Sequence, residues 1–229
     1  MRIIPVLNCM DRTDAAEKIA VAGKFLKPGD FLHVDVADGI FTFHKTWNDT
    51  EGWASLGSEF PFEVHLMVEH PEEWVVPWLA AGARRFVVPV EAIDEDSFRA
   101  IAAQCKTGNA ELILSSSPET PPEDLTPYLH DISHFQVLCV NPGFAGQKFL
   151  PLALEKVKWL KYAIPHATIE VDGGITPETA RRCRSVLPKM ASITTISMAH
   201  IWAVPRSPTC WRISSIATRP AMTGRSSSP

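Results

Sequence analysis

Short apolar runs alternate along most of the chain with longer amphipathic stretches, the pattern expected when buried parallel strands are joined by crossover helices. The runs predict strands over residues 3–8, 31–37, 62–68, 85–90, 111–115, 134–140 and 168–172. The stretches between them predict helices over residues 14–25, 71–81, 95–104, 122–129, 152–162 and 177–184. Asp14, Pro71 and Pro177 stand where caps or first-turn residues belong. The connection 38–61 shows no clear helix and is long enough to be a functional loop. Seven such strands exceed a small doubly wound sheet and fall one unit short of an eight-stranded barrel. The expected fold class is therefore α/β, a (β/α)8 barrel with its body in residues 1–184 and its last βα unit divergent or lost beyond.

Composition changes this picture at one point. At 45% hydrophobic and 21% charged residues, the chain cannot be disordered or collagen-like, and its 229 residues suffice for one or two cored domains. The charge, however, is split. Up to Glu178 the chain holds all 26 acidic residues and 14 of the 22 Lys and Arg, whereas residues 179–229 carry eight basic and no acidic side chains. An acidic body does not suit a nucleic-acid partner. No apolar run reaches the roughly 20 residues of a membrane span, and Met1 leads into a strand-like segment without the features of a secretory signal. Five scattered cysteines contain no Cys-x-x-Cys pair, which leaves a reduced, cytoplasmic protein as the simplest expectation. Association with further copies of the chain is left open.

The candidate chemistry lies at strand ends. Strand side chains alternate between faces, so His33 and Asp35 in Phe31-Leu32-His33-Val34-Asp35 point the same way. His65 stands near the end of the next strand, and Asp172 directly precedes Gly173-Gly174. Each alone reads better as a satisfied polar group. Together, two imidazoles and two carboxylates at one end of a parallel barrel suit a divalent metal such as Zn²⁺, Fe²⁺ or Mn²⁺. The loop Asn141-Pro142-Gly143-Phe144-Ala145-Gly146-Gln147 and the pair Gly173-Gly174 each lie between a strand and a helix, where backbone N–H groups can cradle an anion. Adjacent in barrel order, they suit a phosphorylated substrate. Asp38 reads as a turn residue, and His44, His70, His130, His134 and His166 read as loop or surface residues.

Four segments resemble the ribulose-phosphate 3-epimerase family, (β/α)8 barrels of the pentose phosphate pathway. They are His33-Val34-Asp35-Val36-Ala37-Asp38-Gly39, Val64-His65-Leu66-Met67-Val68-Glu69, the run from Val140 to Phe149, and Ile169-Glu170-Val171-Asp172-Gly173-Gly174-Ile175. The resemblance implies that His33, Asp35, His65 and Asp172 bind one divalent ion, among Zn²⁺, Fe²⁺, Mn²⁺ and Co²⁺. It implies that Asp35 and Asp172 form the acid/base pair, with His65 also at the substrate. It further implies that Gly143, Phe144, Ala145 and Gly146, with Gly173 and Gly174, hold the phosphate of a keto-sugar. Cys9 is expected where the family has a substrate-contacting Ser. Phe43-His44, Pro89 and Leu138 stand for the family's Pro-Asn, His and Met, departures that bear on which sugar is bound. A ketohexose phosphate and a non-catalytic metal- and phosphate-binding relic remain alternatives. A decarboxylase of the related barrels is disfavoured, because its Asp-x-Lys-x-x-Asp arrangement is missing.

The family closes its barrel with a strand leading into a Gly-Ser phosphate loop, and no Gly-Ser follows Gly174 here. Met198-Ala199-His200-Ile201-Trp202-Ala203-Val204 must be encoded ATG-GCN-CAY-ATH-TGG-GCN-GTN. Joining each third base to the next two permits Gly-Ser-Tyr-Leu-Gly-Ser, close to the missing loop. A shift of reading frame between about Arg184 and Pro188 is therefore expected, and it would also account for the loss of acidic residues.

Overall fold

The computed structural model describes residues 2–186 and the strand Thr195–Met198. Eight parallel strands close into a barrel in chain order: β1 (Arg2–Leu7), β2 (Leu32–Ala37), β3 (Phe62–Met67), β4 (Arg85–Pro89), β5 (Glu111–Ser116), β6 (His134–Leu138), β7 (Thr168–Asp172) and β8 (Thr195–Met198). Around them run α1 (Arg12–Ala22), α2 (Thr50–Ser55), α3 (Val75–Ala80), α4 (Glu95–Thr107), α5 (Ala153–Ala163) and α6 (Pro177–Ser185). The seven expected strands are all present. Of the two readings of the last unit, divergent or lost, the strand itself is kept: β8 pairs with β1 on one side and β7 on the other. The open eighth position on which the relic reading rested is thereby corrected. Sequence after Met198 lies outside the described residues.

Several helix boundaries differ from expectation for local reasons. α1 begins at Arg12, ahead of the expected start, because Asp11 is its cap and accepts from Asp14 N at 2.9 Å, while Asp14 stands in the first turn as expected. The stretch 71–81 divides into a 3-10 turn, Pro71–Glu73, and α3. Pro77 has no N–H and is tolerated only in a first turn, so the helix starts just before it. Residues 122–128 form a 3-10 segment instead of an α-helix, since Pro127 removes an interior hydrogen bond. The connection 38–61 contains α2, capped by Asp49 and anchored by buried Trp53, whose indole N–H donates to Trp47 O at 3.2 Å.

The two faces of the barrel differ sharply. Outward-facing apolar side chains, among them Leu7, Val34, Val36, Val64, Leu66, Phe86, Phe135 and Val171, form one core cluster with the helices. The inward face instead mixes apolar residues such as Val6, Val87 and Ile113 with polar ones: His33, Glu63, His65, His134, Gln136 and Glu170 are all buried. The alternation that selects the core therefore also delivers the polar residues to the lumen. No helix among the described residues is long and apolar enough to cross a membrane.

Candidate active site

Asp35 and His65 are direct partners in the β2–β3 register, which brings the two predicted ligand segments face to face. Inside the lumen, His33 Nε2 lies 3.4 Å and His65 Nδ1 lies 3.5 Å from the same atom, Asp35 Oδ1. All three atoms are buried and none has a hydrogen-bond partner. An unsatisfied buried polar group costs about 1–3 kcal/mol, so three converging on one point call for something between them. Their ligand atoms lie within 4.8 Å of one another. Two imidazoles and a carboxylate fit a divalent transition ion or Zn²⁺ better than Mg²⁺ or Ca²⁺, which prefer all-oxygen shells. The rear nitrogens of both rings are engaged: His33 Nδ1 with Glu63 Oε1 at 2.7 Å, and His65 Nε2 with Ser115 Oγ at 3.3 Å.

Asp172 ends β7 and lines the same cavity as Asp35 and His65, although it stands outside the three-atom cluster. The two carboxylates are pushed apart electrostatically. Burial, with help from nearby Asp35, raises Asp172 to about 7, against the pull of His33. Burial also opposes ionisation of Asp35, but His33 and His65 outweigh it and hold Asp35 well below the usual carboxylate range. Such divergence within one cavity is the arrangement expected of an acid and a base.

The two glycine loops meet beside these groups. Gly143, Phe144, Ala145, Gly146, Gly173 and Gly174 all line the cavity. Gln147 Nε2 donates to Asn141 O at 2.6 Å and Phe144 O at 2.9 Å, closing the first loop on itself. In the second, Gly174 has φ +62, and a Cβ there would stand 2.5 Å from the Phe149 backbone nitrogen. Only glycine lets the backbones of the two loops approach this closely.

Cys9 does not join the site. Its side chain is buried in the outer apolar cluster, where desolvation pushes the thiol up to about 12. The residue facing the site is its neighbour Asn8, whose Nδ2 donates to Asp35 Oδ2 at 3.3 Å. Counting alternate positions from Val6, which lines the cavity, selects Asn8 and excludes Cys9. His44 is a loop residue, as expected, but its Nε2 lies 3.0 Å from Asn8 Oδ1 and its ring 5.1 Å from that of Phe144. Asp38 is the expected turn residue, accepting from Ile40 N at 2.7 Å and Phe41 N at 2.9 Å. His134, expected as a loop or surface residue, is instead buried in the lumen between Glu111 and Glu170. His130 and His166 are exposed, as is His70.

The comparisons with known proteins agree with this geometry. The Ribulose-phosphate 3 epimerase family profile matches residues 3–187. Ribulose-phosphate 3-epimerase of Mycobacterium leprae is 34% identical over 175 residues, covering 73% of each chain. That of Chlamydia trachomatis is 35% identical over 162 residues, 68% of this chain and 69% of the relative. The cytoplasmic isoform of Oryza sativa is 34% identical over 176 residues, 73% of this chain and 75% of the relative. Among solved structures, the tryptophan synthase α-subunit of Pyrococcus furiosus superposes with a TM-score of 0.59 over 87% of this chain and 86% of its own, at 8% identity, a likeness of fold alone. With a barrel, a His-Asp-His cluster and two glycine loops in the family's order, the chain belongs to the ribulose-phosphate 3-epimerase family.

Proposed function

We propose that the protein epimerises a keto-sugar phosphate at C3, with D-ribulose 5-phosphate and D-xylulose 5-phosphate as its pair. The observation that carries this reading is the convergence of three unpartnered buried atoms, on His33, Asp35 and His65, the last two lining one cavity with Asp172. Inverting a carbon beside a ketone needs a base on one face to remove the proton and an acid on the other to return one. Asp35, kept ionised, takes the proton; Asp172, whose burial favours its protonated form, supplies the replacement, and the roles exchange in the reverse direction. A divalent ion held by His33, Asp35 and His65, with Asp172 nearby, would supply positive charge to stabilise the enediolate. The loops at Gly143–Gly146 and Gly173–Gly174 would orient the substrate through its phosphate.

In D₂O, the C3 hydrogen of ribulose 5-phosphate should exchange with solvent. Asp35→Asn and Asp172→Asn should each slow that exchange by at least about 100-fold, since general acid–base groups contribute 10²–10⁴. Unimpaired exchange in either variant would remove the two-carboxylate mechanism. The contact of His44 with Asn8 favours testing a second class, ketohexose phosphates, because Asn8 in turn holds Asp35 and the family has Pro-Asn in place of Phe43-His44. Exchange at C3 of a ketohexose phosphate faster than of the pentulose would reassign the substrate.

The anomalous end belongs to the same reading. We propose a frame change between about Arg184 and Pro188. The family profile stops matching at residue 187, and the shifted frame permits Gly-Ser at the positions directly behind β8, where a phosphate loop of the barrel belongs.

A further inference from the structure

Resting on the metal-dependent reading above, we infer that Glu63, clamped by Arg85, is a positioning residue that fixes His33 with its proton on Nδ1 and its Nε2 free for the metal. Glu63 lies one turn of the pleat below His65 on β3, is fully buried, and takes no part in the three-atom cluster. Its Oε1 is 2.7 Å from His33 Nδ1 and its Oε2 accepts from Arg85 at 3.4 Å. Arg85 is itself held from two other sides: its Nε is ion-paired with Glu111 Oε2 at 2.9 Å, and its guanidinium lies 3.9 Å over the Phe31 ring. A buried carboxylate with a fixed arginine on one oxygen accepts on the other, so the proton shared with His33 sits on Nδ1. His33 Nε2 is then the ring atom turned to the cluster, buried, 3.4 Å from Asp35 Oδ1 and without a hydrogen-bond partner. The ligand's orientation and tautomer are thereby set from below the cavity, as outer partners of metal-bound histidines generally do.

This makes Glu63→Gln a directed test. Arginine can only donate, so the introduced amide must turn its oxygen to Arg85 and its NH₂ to His33 Nδ1. The hydrogen bond is inverted, and the imidazole proton moves to Nε2, the atom the metal needs. Co²⁺ affinity, read from its visible absorption, should fall about 10–100-fold, while Glu63→Asp, which remains a pure acceptor, should retain most of it. Nitrogen-15 NMR of the metal-free wild type should show His33 Nδ1 protonated, and Glu63→Gln should show it unprotonated. Unchanged Co²⁺ affinity in a folded Glu63→Gln protein, or an unprotonated Nδ1 in the wild type, would overturn the inference. Should Glu63→Gln not fold, the wild-type spectrum still decides it. Wild type that binds no Co²⁺ yet shows Nδ1 protonated would sink the metal-dependent function and leave the orienting role of Glu63 standing.

Discussion

Gly174 shows how much of the site depends on a missing atom. Its φ of +62 alone would cost an alanine about 1–2 kcal/mol, and its Cβ would press on the Phe149 backbone, which cannot swing away as a side chain would. Gly57 separates the two effects, since it has φ +60 and nothing within 4 Å of a built Cβ. Gly57→Ala should therefore lose only the conformational share. Gly174→Ala should lose that and a further ~1–3 kcal/mol of overpacking, measured as the difference between the two in urea unfolding. Equal losses would mean that the loops can part without cost. The glycine pair was legible in the sequence as a turn before a helix. Its closeness to Phe149 was not, because the two segments come together through the pairing of β6 with β7, which is not local in sequence.

At the scale of elements, β5, β6 and β7 are tied by buried charge. His134 on β6 lies 2.9 Å from Glu111 on β5 and 3.1 Å from Glu170 on β7. Burial opposes its protonation, but the two carboxylates outweigh this and raise its pKa to about 9. In the unfolded chain it returns to about 6.5, so the folded state holds the proton more tightly. The stabilisation is then complete below pH 6.5 and lost as pH rises through 9. It amounts to ~3 kcal/mol at most, and less in practice because Glu111 is partly exposed and screened. Unfolding in urea at about pH 6 and about pH 9.5 should show this loss in the wild type and a flatter profile in His134→Asn; parallel profiles would remove the linkage. The elements themselves were readable from periodicity except where proline intervened, at Pro77 and Pro127, or where a short helix hid in a loop, at α2. The burial of His134 was readable too, since it alternates in step with Gln136 and Leu138, but its position at the strand's start disguised it as a loop residue.

For the whole molecule, the barrel is complete as a ring of strands while the phosphate loop expected behind β8 is absent from the sequence. Restoring the shifted frame should supply Gly-Ser there. Each backbone hydrogen bond to a phosphate contributes roughly 1.5–3 kcal/mol, so the restored chain should bind its substrate at least about 10-fold more tightly than the present one. Measurement of KM in both chains checks this, together with the coding DNA across codons 184–188. Equal KM values, or no near-cognate reading after codon 184, would leave the divergent end as the protein's own.

The sequence by itself determined the fold class, the seven body strands and the segments that carry His33, Asp35 and His65. These depend on local alternation, which a strand converts directly into two faces. It also carried the family's motifs and the break in charge. Only the tertiary structure decided that β8 closes the ring, because a four-residue strand has no period long enough to read and takes its place from the edges of β1 and β7. Likewise, Asn8 displaced Cys9 at the site, and Glu63 met His33, only once β1, β2 and β3 were set in register. Which side chains converge in a lumen depends on strand stagger, a property of the closed sheet that no single strand encodes.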